Sequence, residues 1–185
     1  MQNLKSNGYI DHYVFSVYTG GKQQSYIKFG SMDTNAFTGE MQYVDTVNTQ
    51  GWIVYGKEMS VGSPLNVIQF GFTVVWIDMS IPYLYLPTKY WNLFAVQVQK
   101  IYGNNITCSN GYCKFSKPCF QITDTTHDIT LTMIDTLTHF DDKAAKMNLL
   151  SADLLVDGAN FGDIGKCYIP VFYGQEAYSE VIFLG

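Results

Sequence analysis

This sequence predicts a mostly β domain, and three features carry the prediction. Short apolar runs bounded by turn residues recur through its first third; Tyr (14) and Phe (12) are abundant alongside Val, Ile and Thr; and 47% of residues are hydrophobic against 15% charged. Such a palette suits pleated, half-buried strands. At 185 residues the chain has the length of one ordinary domain, or of one large half of a two-lobed protein, and is long enough to bury most of its apolar surface.

The strand candidates follow one another as Tyr13–Tyr18, Ser25–Phe29, Met41–Val47, Gly51–Tyr55, Val67–Phe70 and Thr73–Ile77. Between them, Gly20-Gly21, the Gly30 to Gly39 stretch with Asp33 and Asn35, and Gly62-Ser63-Pro64 signal turns. One helix follows Pro87: Tyr90, Trp91, Phe94, Val98 and Ile101 recur at spacings of three and four, with Lys89, Asn92, Gln97 and Lys100 between them. Its apolar stripe is expected to pack under a sheet and Gly103 to end it. A cysteine-bearing segment (Thr107–Gln121) comes next, then a strand at Asp128–Ile134 and a polar stretch around Asp141-Asp142-Lys143. The chain closes with an apolar run at Leu154–Val156 and strands at Cys167–Phe172 and Tyr178–Leu184. No repeat, low-complexity tract or linker divides it.

Composition excludes some functions. Eleven Lys and no Arg stand against sixteen acidic residues, a net charge of −5 with no basic run, so nucleic acid is not an expected partner. No window approaches the roughly 18 consecutive apolar residues of a transmembrane helix. Met1 to Gly8 is polar and lacks the apolar core of a secretion signal, so an export signal would lie outside these residues. Two features favour a secretory or extracellular location: four cysteines, and the N-glycosylation acceptor pattern Asn105-Ile106-Thr107. Cys108 and Cys113 read as a hairpin disulfide rather than as half of a metal site, for which further ligands at proper spacing are missing. Cys119 with His12, His127 and His139 does not complete a zinc pattern, so no metal and no cofactor are expected.

The segment Val74-Val75-Trp76-Ile77-Asp78-Met79-Ser80-Ile81-Pro82-Tyr83-Leu84-Tyr85-Leu86-Pro87 places an Asp after an apolar strand, then a tight turn, a second apolar strand, a Pro and the helix. It resembles the second active-site segment of pepsin-like eukaryotic aspartic proteases, where Asp-Thr-Gly-Thr-Ser precedes apolar residues and Leu-Pro. Further stretches are similar to the same lobe in the same order: Val14-Phe15-Ser16-Val17-Tyr18, Ile27 to Asp33, Phe37 to Val44, and Gly51-Trp52-Ile53-Val54. Cys119, the Asp128-Ile129-Thr130-Leu131 strand and Cys167 are similar to the family's late disulfide loop. The resemblance implies a single C-terminal lobe over residues 10–185, with orthogonally packed β-sheets, one main amphipathic helix and short helical turns. Residues 1–9 are then an N-terminal extension or inter-lobe segment. It also implies a Cys119–Cys167 bridge, which the chain-entropy model values at roughly 4 kcal/mol; four cysteines permit three pairings.

The family's chemistry needs two carboxylates that share one proton, and a single lobe brings one. The turn also departs from the motif. Met79 has no hydroxyl to reach across a lobe interface, Ser80 adds a Cβ where the motif has Gly, and Ile81-Pro82 replace hydroxyl-bearing residues. In Ile169-Pro170-Val171-Phe172, Val171 stands for the Gly of the strand that crosses beneath the turn. Asp78 therefore reads as a vestigial structural carboxylate, and Asp78, Met79, Ser80 and Tyr83 as what remains for binding. The aromatic cluster Trp76, Tyr83, Tyr85, Tyr90 and Trp91 reads as core rather than groove, and His127-Asp128 as a pair at the entry to a strand.

The expected function is a catalytically inactive structural or interaction subunit. Its partner would be an N-terminal-lobe-like chain, a copy of itself or a larger assembly, because an isolated lobe exposes an apolar face. The rival readings are one half of a split, two-chain endopeptidase that uses Asp78, and a peptide-binding module that does not cleave.

Overall fold

The computed structural model describes residues 1–18, 25–37, 39–47, 51–123, 128–134, 144–149, 155–174 and 180–184. They fall into two compact units, Met1–Met41 and Gln42–Gly185. The chain is mostly β with one long helix, as its composition predicts.

The first unit holds a short helix α1 (Gln2–Ser6) and an antiparallel hairpin of β1 (Phe15–Tyr18) with β2 (Tyr26–Phe29), in register from Phe15↔Phe29 to Tyr18↔Tyr26. Tyr18 stacks on Tyr26 across the pair at 5.2 Å. Asp33 accepts from the Tyr26 hydroxyl and from the Asn35 N–H.

In the second unit, β3 (Ile53–Val61) and β4 (Ser63–Ile77) form a long antiparallel pair turned at Gly62. The two strands expected at Val67–Phe70 and Thr73–Ile77 are one strand, because the chain absorbs the break as a bulge around Gly71 (φ +55°) instead of leaving the ladder. Close approach explains Gly56: a Cβ there would lie 2.9 Å from both Phe70 and Val75 side chains. β5 (Leu84–Leu86), β8 (Ile129–Ile134), β9 (Ala144–Leu149), β12 (Val171–Tyr173) and β13 (Val181–Leu184) complete a seven-stranded sheet ordered β12-β5-β13-β4-β3-β8-β9. A four-stranded sheet, β10-β11-β7-β6, is built from β6 (Ile106–Ser109), β7 (Tyr112–Phe115), β10 (Val156–Asp157) and β11 (Cys167–Ile169).

Helix α2 (Thr88–Tyr102) starts after Pro87 and stops at Gly103, whose N–H donates to Gln99 O. It buries Tyr90, Trp91, Phe94, Ala95 and Val98 against a core that includes Met59, Phe70, Val75, Leu86, Leu131, Val171 and Ile182. Inside that core the Thr73 hydroxyl donates to Phe70 O (2.7 Å) and lies 2.6 Å from the Tyr90 hydroxyl, which also bonds Phe70 O. The helix is thereby tied to the bulged part of β4.

Two expectations are corrected. Met41–Val47 forms no strand among the described residues: alternation supplies a face but does not by itself fix a ladder register. Here Val47 donates to Ile53 O (2.7 Å) and the Gln42 side chain accepts the Lys146 N–H (2.6 Å). The expected strand Cys167–Phe172 divides at Pro170, which has no N–H to continue a ladder; β11 pairs with β7 in one sheet and β12 with β5 in the other. The hairpin disulfide expected between Cys108 and Cys113 is formed. Those residues face each other across the β6–β7 hairpin, turned by Asn110 (φ 52°) and Gly111 (φ 83°), a pair suited to a two-residue turn. Cys119 is bonded to Cys167, joining a 3₁₀ turn to β11.

Candidate functional site

The site is built where β4 ends. β13 runs parallel to β4, from Val181↔Val74 to Leu184↔Ile77, and the Asp78 N–H extends the ladder by donating to Leu184 O (2.8 Å). Alternation turns Val75 into the core and Trp76 to the opposite face, where Trp76 is 38% exposed and stacks on Phe183 at 5.8 Å. The chain then reverses, with the Ile81 N–H donating to Asp78 O (3.1 Å), and re-enters the sheet as β5. Leu84 donates to Pro170 O (3.1 Å), which brings the β11–β12 crossing alongside.

Asp78 is held by one neighbour, two residues on. The Ser80 N–H (2.9 Å) and the Ser80 hydroxyl (2.7 Å) both donate to Asp78 Oδ1. These bonds hold the carboxyl below its ordinary value, the hydroxyl contributing most and the backbone N–H next, against a smaller upward push from partial burial. Ser80 thus does more than the sequence indicated: both its backbone N–H and its hydroxyl hold the carboxylate.

Asp78 borders a cleft of about 580 Å³ lined by the rings of Trp76, Tyr85, Tyr173 and Phe183, with Ser80, Ile81, Pro82 and Gly174. Of the residues proposed for binding, Asp78 and Ser80 line it. Met79 points to solvent, 62% exposed, and Tyr83 packs between Phe161 (5.6 Å) and Phe172 (5.0 Å). The aromatic cluster read as core divides: Tyr90 and Trp91 are buried under the sheet, whereas Trp76 and Tyr85 face the cleft. Tyr173, Gly174 and Phe183 were not anticipated, since they reach the cleft only through the parallel pairings of β12 and β13. For Trp76 a signal existed, because it lies two residues before Asp78 and so shares its side of the strand. Val171 is fully buried in the core and paired with Leu84, away from the cleft lining.

Elsewhere, Asn105 ends an exposed 3₁₀ turn (Gly103–Asn105), and Thr107, its hydroxyl partner in the acceptor pattern, is exposed as well. His127 and His139 lie outside the described residues; Asp128 accepts the Gly62 N–H on its carbonyl at the entry to β8. Among the described residues, no three His, Cys, Asp or Glu side chains gather to hold a metal ion, and no helix is long and apolar enough to cross a membrane.

The family model described as eukaryotic aspartyl protease matches residues 1–177. The protein named Probable vacuolar protease A from Arthroderma benhamiae is 30% identical over 100 residues, covering 52% of this chain and 24% of that protein. The matched stretch thus spans about a quarter of the length of that curated relative.

Proposed function

This chain belongs to the eukaryotic aspartyl protease family, and from that premise we propose that it is a non-catalytic member serving as a structural or interaction subunit of a larger assembly. One observation carries the reading: among the described residues that line the cleft, Asp78 is the one acidic group. The family's reaction depends on paired carboxylates about 3 Å apart whose mutual repulsion keeps one proton between them. Met79 and Pro82 in the turn support the same conclusion, having neither hydroxyl to offer. Exposed apolar side chains at Trp76, Met79, Leu93 and Val96 support a protein partner, whether an N-terminal-lobe-like chain, a second copy or a larger complex. Two disulfides fit an oxidising compartment, and the secretory pathway or the cell exterior is the proposed location.

Two measurements test the reading together. The purified chain and its native complex are expected to show no peptide cleavage between about pH 2 and 6, the range in which a carboxylate dyad works. Light scattering at micromolar concentration is expected to show an assembly; a stable monomer with nothing co-purifying would remove the subunit role.

A second reading is one half of a split endopeptidase with Asp78 in the dyad. Its support is that both Ser80 donors fall on Oδ1, which favours the ionised state required of the water-orienting partner. It predicts acid-dependent cleavage by the complex, blocked by a transition-state-like inhibitor and abolished by Asp78→Asn. Absence of any such cleavage disposes of it.

A further inference from the structure

We infer that the solvent face of α2 docks a helical segment of a partner polypeptide, apolar at its centre and acidic at both ends. This rests on the subunit reading, whose partner it specifies.

A helix on a protein surface turns one apolar stripe inward and fills the opposite face with polar residues. The inward stripe of α2 is Tyr90, Trp91, Phe94, Ala95 and Val98, all buried. On the opposite side Lys89, Leu93, Val96 and Lys100 recur at spacings of four, three and four. They form one row about 16 Å long, at about 1.5 Å of rise per residue. Leu93 and Val96, in the middle of the row, are 51% and 61% exposed. Val is a poorer helix former than the Lys, Glu or Gln that ordinarily fill a solvated position. α2 thus carries two apolar faces, and the core covers one.

Charge selects what covers the other. α2 contains two lysines and no acidic residue, in a chain whose net charge is −5. These lysines bracket the apolar pair. Lys89 lies 3.7 Å from Glu180 with both side chains exposed, so that ion pair is solvated and weak, and a partner's carboxylate can take Glu180's place. A second copy presenting the same face would set lysine against lysine: Lys89 on Lys100 in an antiparallel pair, each on its own equivalent in a parallel one. A lipid surface takes helices with a broad apolar face, whereas here two apolar residues project and the others are committed to the core. What fits the row is a helix with its own apolar pair three residues apart and a Glu or Asp four residues beyond each. Its apolar side chains interdigitate with Leu93 and Val96 while its carboxylates reach both lysines.

The test is fluorescence anisotropy of the full chain at low salt with a labelled, lactam-bridged helical peptide, Glu-x-x-x-Leu-x-x-Leu-x-x-x-Glu, where x is Ala or Gln. Two counterparts carry Gln or Lys in place of both Glu. The Glu peptide is expected to bind about fivefold more tightly than the Gln peptide, as two solvated ion pairs allow, and the Lys peptide more weakly still. That advantage is expected to shrink as salt rises, and Lys89→Gln with Lys100→Gln to erase it. Leu93→Gln with Val96→Gln is expected to abolish binding of all three at an unchanged thermal midpoint, because both positions are exposed. No binding by any peptide, equal affinities, or binding that survives Leu93→Gln with Val96→Gln would overturn the inference. So would either of two other occupants: phosphatidylserine-containing vesicles that sediment the chain only when Leu93 and Val96 are present, or self-association of the purified chain that the same double variant disperses. Light scattering and co-purification separate this surface from the function. Peptide selectivity in a chain that stays monomeric and brings nothing with it would leave the surface standing and refute the subunit role. An assembly that forms unchanged in the double variant, without peptide selectivity, would do the reverse.

Discussion

At Asp78 a two-residue contact sets the chemistry. Its carboxylate is held below the ordinary value of about 3.8 chiefly by the Ser80 hydroxyl. Ser80→Ala keeps the backbone N–H and removes the larger cause, so the Asp78 pKa is expected to rise toward 3.8 in an NMR titration of the carboxyl carbon. No change would mean that the hydroxyl does not hold the carboxylate in solution. At Asn105 the backbone turn and the exposure of both Asn105 and Thr107 make the acceptor pattern accessible. Expressed through a eukaryotic secretory pathway, the chain is expected to carry one endoglycosidase-sensitive glycan, lost in Asn105→Gln and Thr107→Ala and kept in Thr107→Ser. An unshifted band from the parent chain would contradict this.

Among the elements, the contact between α2 and β4 combines apolar burial with a buried polar bridge. Tyr90 packs edge-on against Phe70 at 5.0 Å, and its hydroxyl meets Thr73 and Phe70 O. Tyr90→Phe preserves the ring and deletes the bridge; urea unfolding is expected to show a loss of about 1 to 2 kcal/mol, the cost of withdrawing one partner from a buried hydrogen-bonded group. The disulfides differ in the loops they close. Cys119–Cys167 spans 48 residues and Cys108–Cys113 spans 5, so chain entropy assigns about 4 and about 2 kcal/mol respectively. Replacing the first pair by Ser is expected to lower the unfolding midpoint more than replacing the second, and the reverse order would refute the loop-closure account. Pro170 shows how one residue directs topology, because losing a single N–H moves the chain from the four-stranded sheet to the seven-stranded one.

Across the whole molecule, the perturbed groups define a pH window. Asp33, Asp78 and Asp163 all have folded values lowered from about 3.8, so each contributes stability that is present above that value and lost as pH falls through the lower folded one. Lys114, paired with Asp163 at 2.8 Å, is raised above about 10.5, and Tyr85 and Tyr168 above about 10.0. Their contributions are present below the unfolded values and lost as pH rises through the folded ones. Thermal midpoints are therefore expected to hold from about pH 5 to 9 and fall on both sides. A midpoint that rises on acidification below about pH 4 would contradict the direction of all three carboxyl shifts.

What the sequence determined by itself was local. The mostly β class, the amphipathic helix after Pro87, the turn at Asp78 and its distance to Leu86-Pro87 are properties of short windows, where side-chain period and backbone preference act directly. That was enough to point to the family. The tertiary structure alone decided which residues share the cleft with Asp78. Tyr173 and Phe183 lie about a hundred residues away in sequence and arrive through pairings of β12 with β5 and β13 with β4, which no local period encodes. It also decided that Trp76 and Tyr85 face a cleft while Tyr90 and Trp91 are core, because a large aromatic ring is recruited by whichever side of the sheet the rest of the chain covers. Met41–Val47 illustrates the same limit, since its alternation was legible but the non-strand backbone it adopts was not.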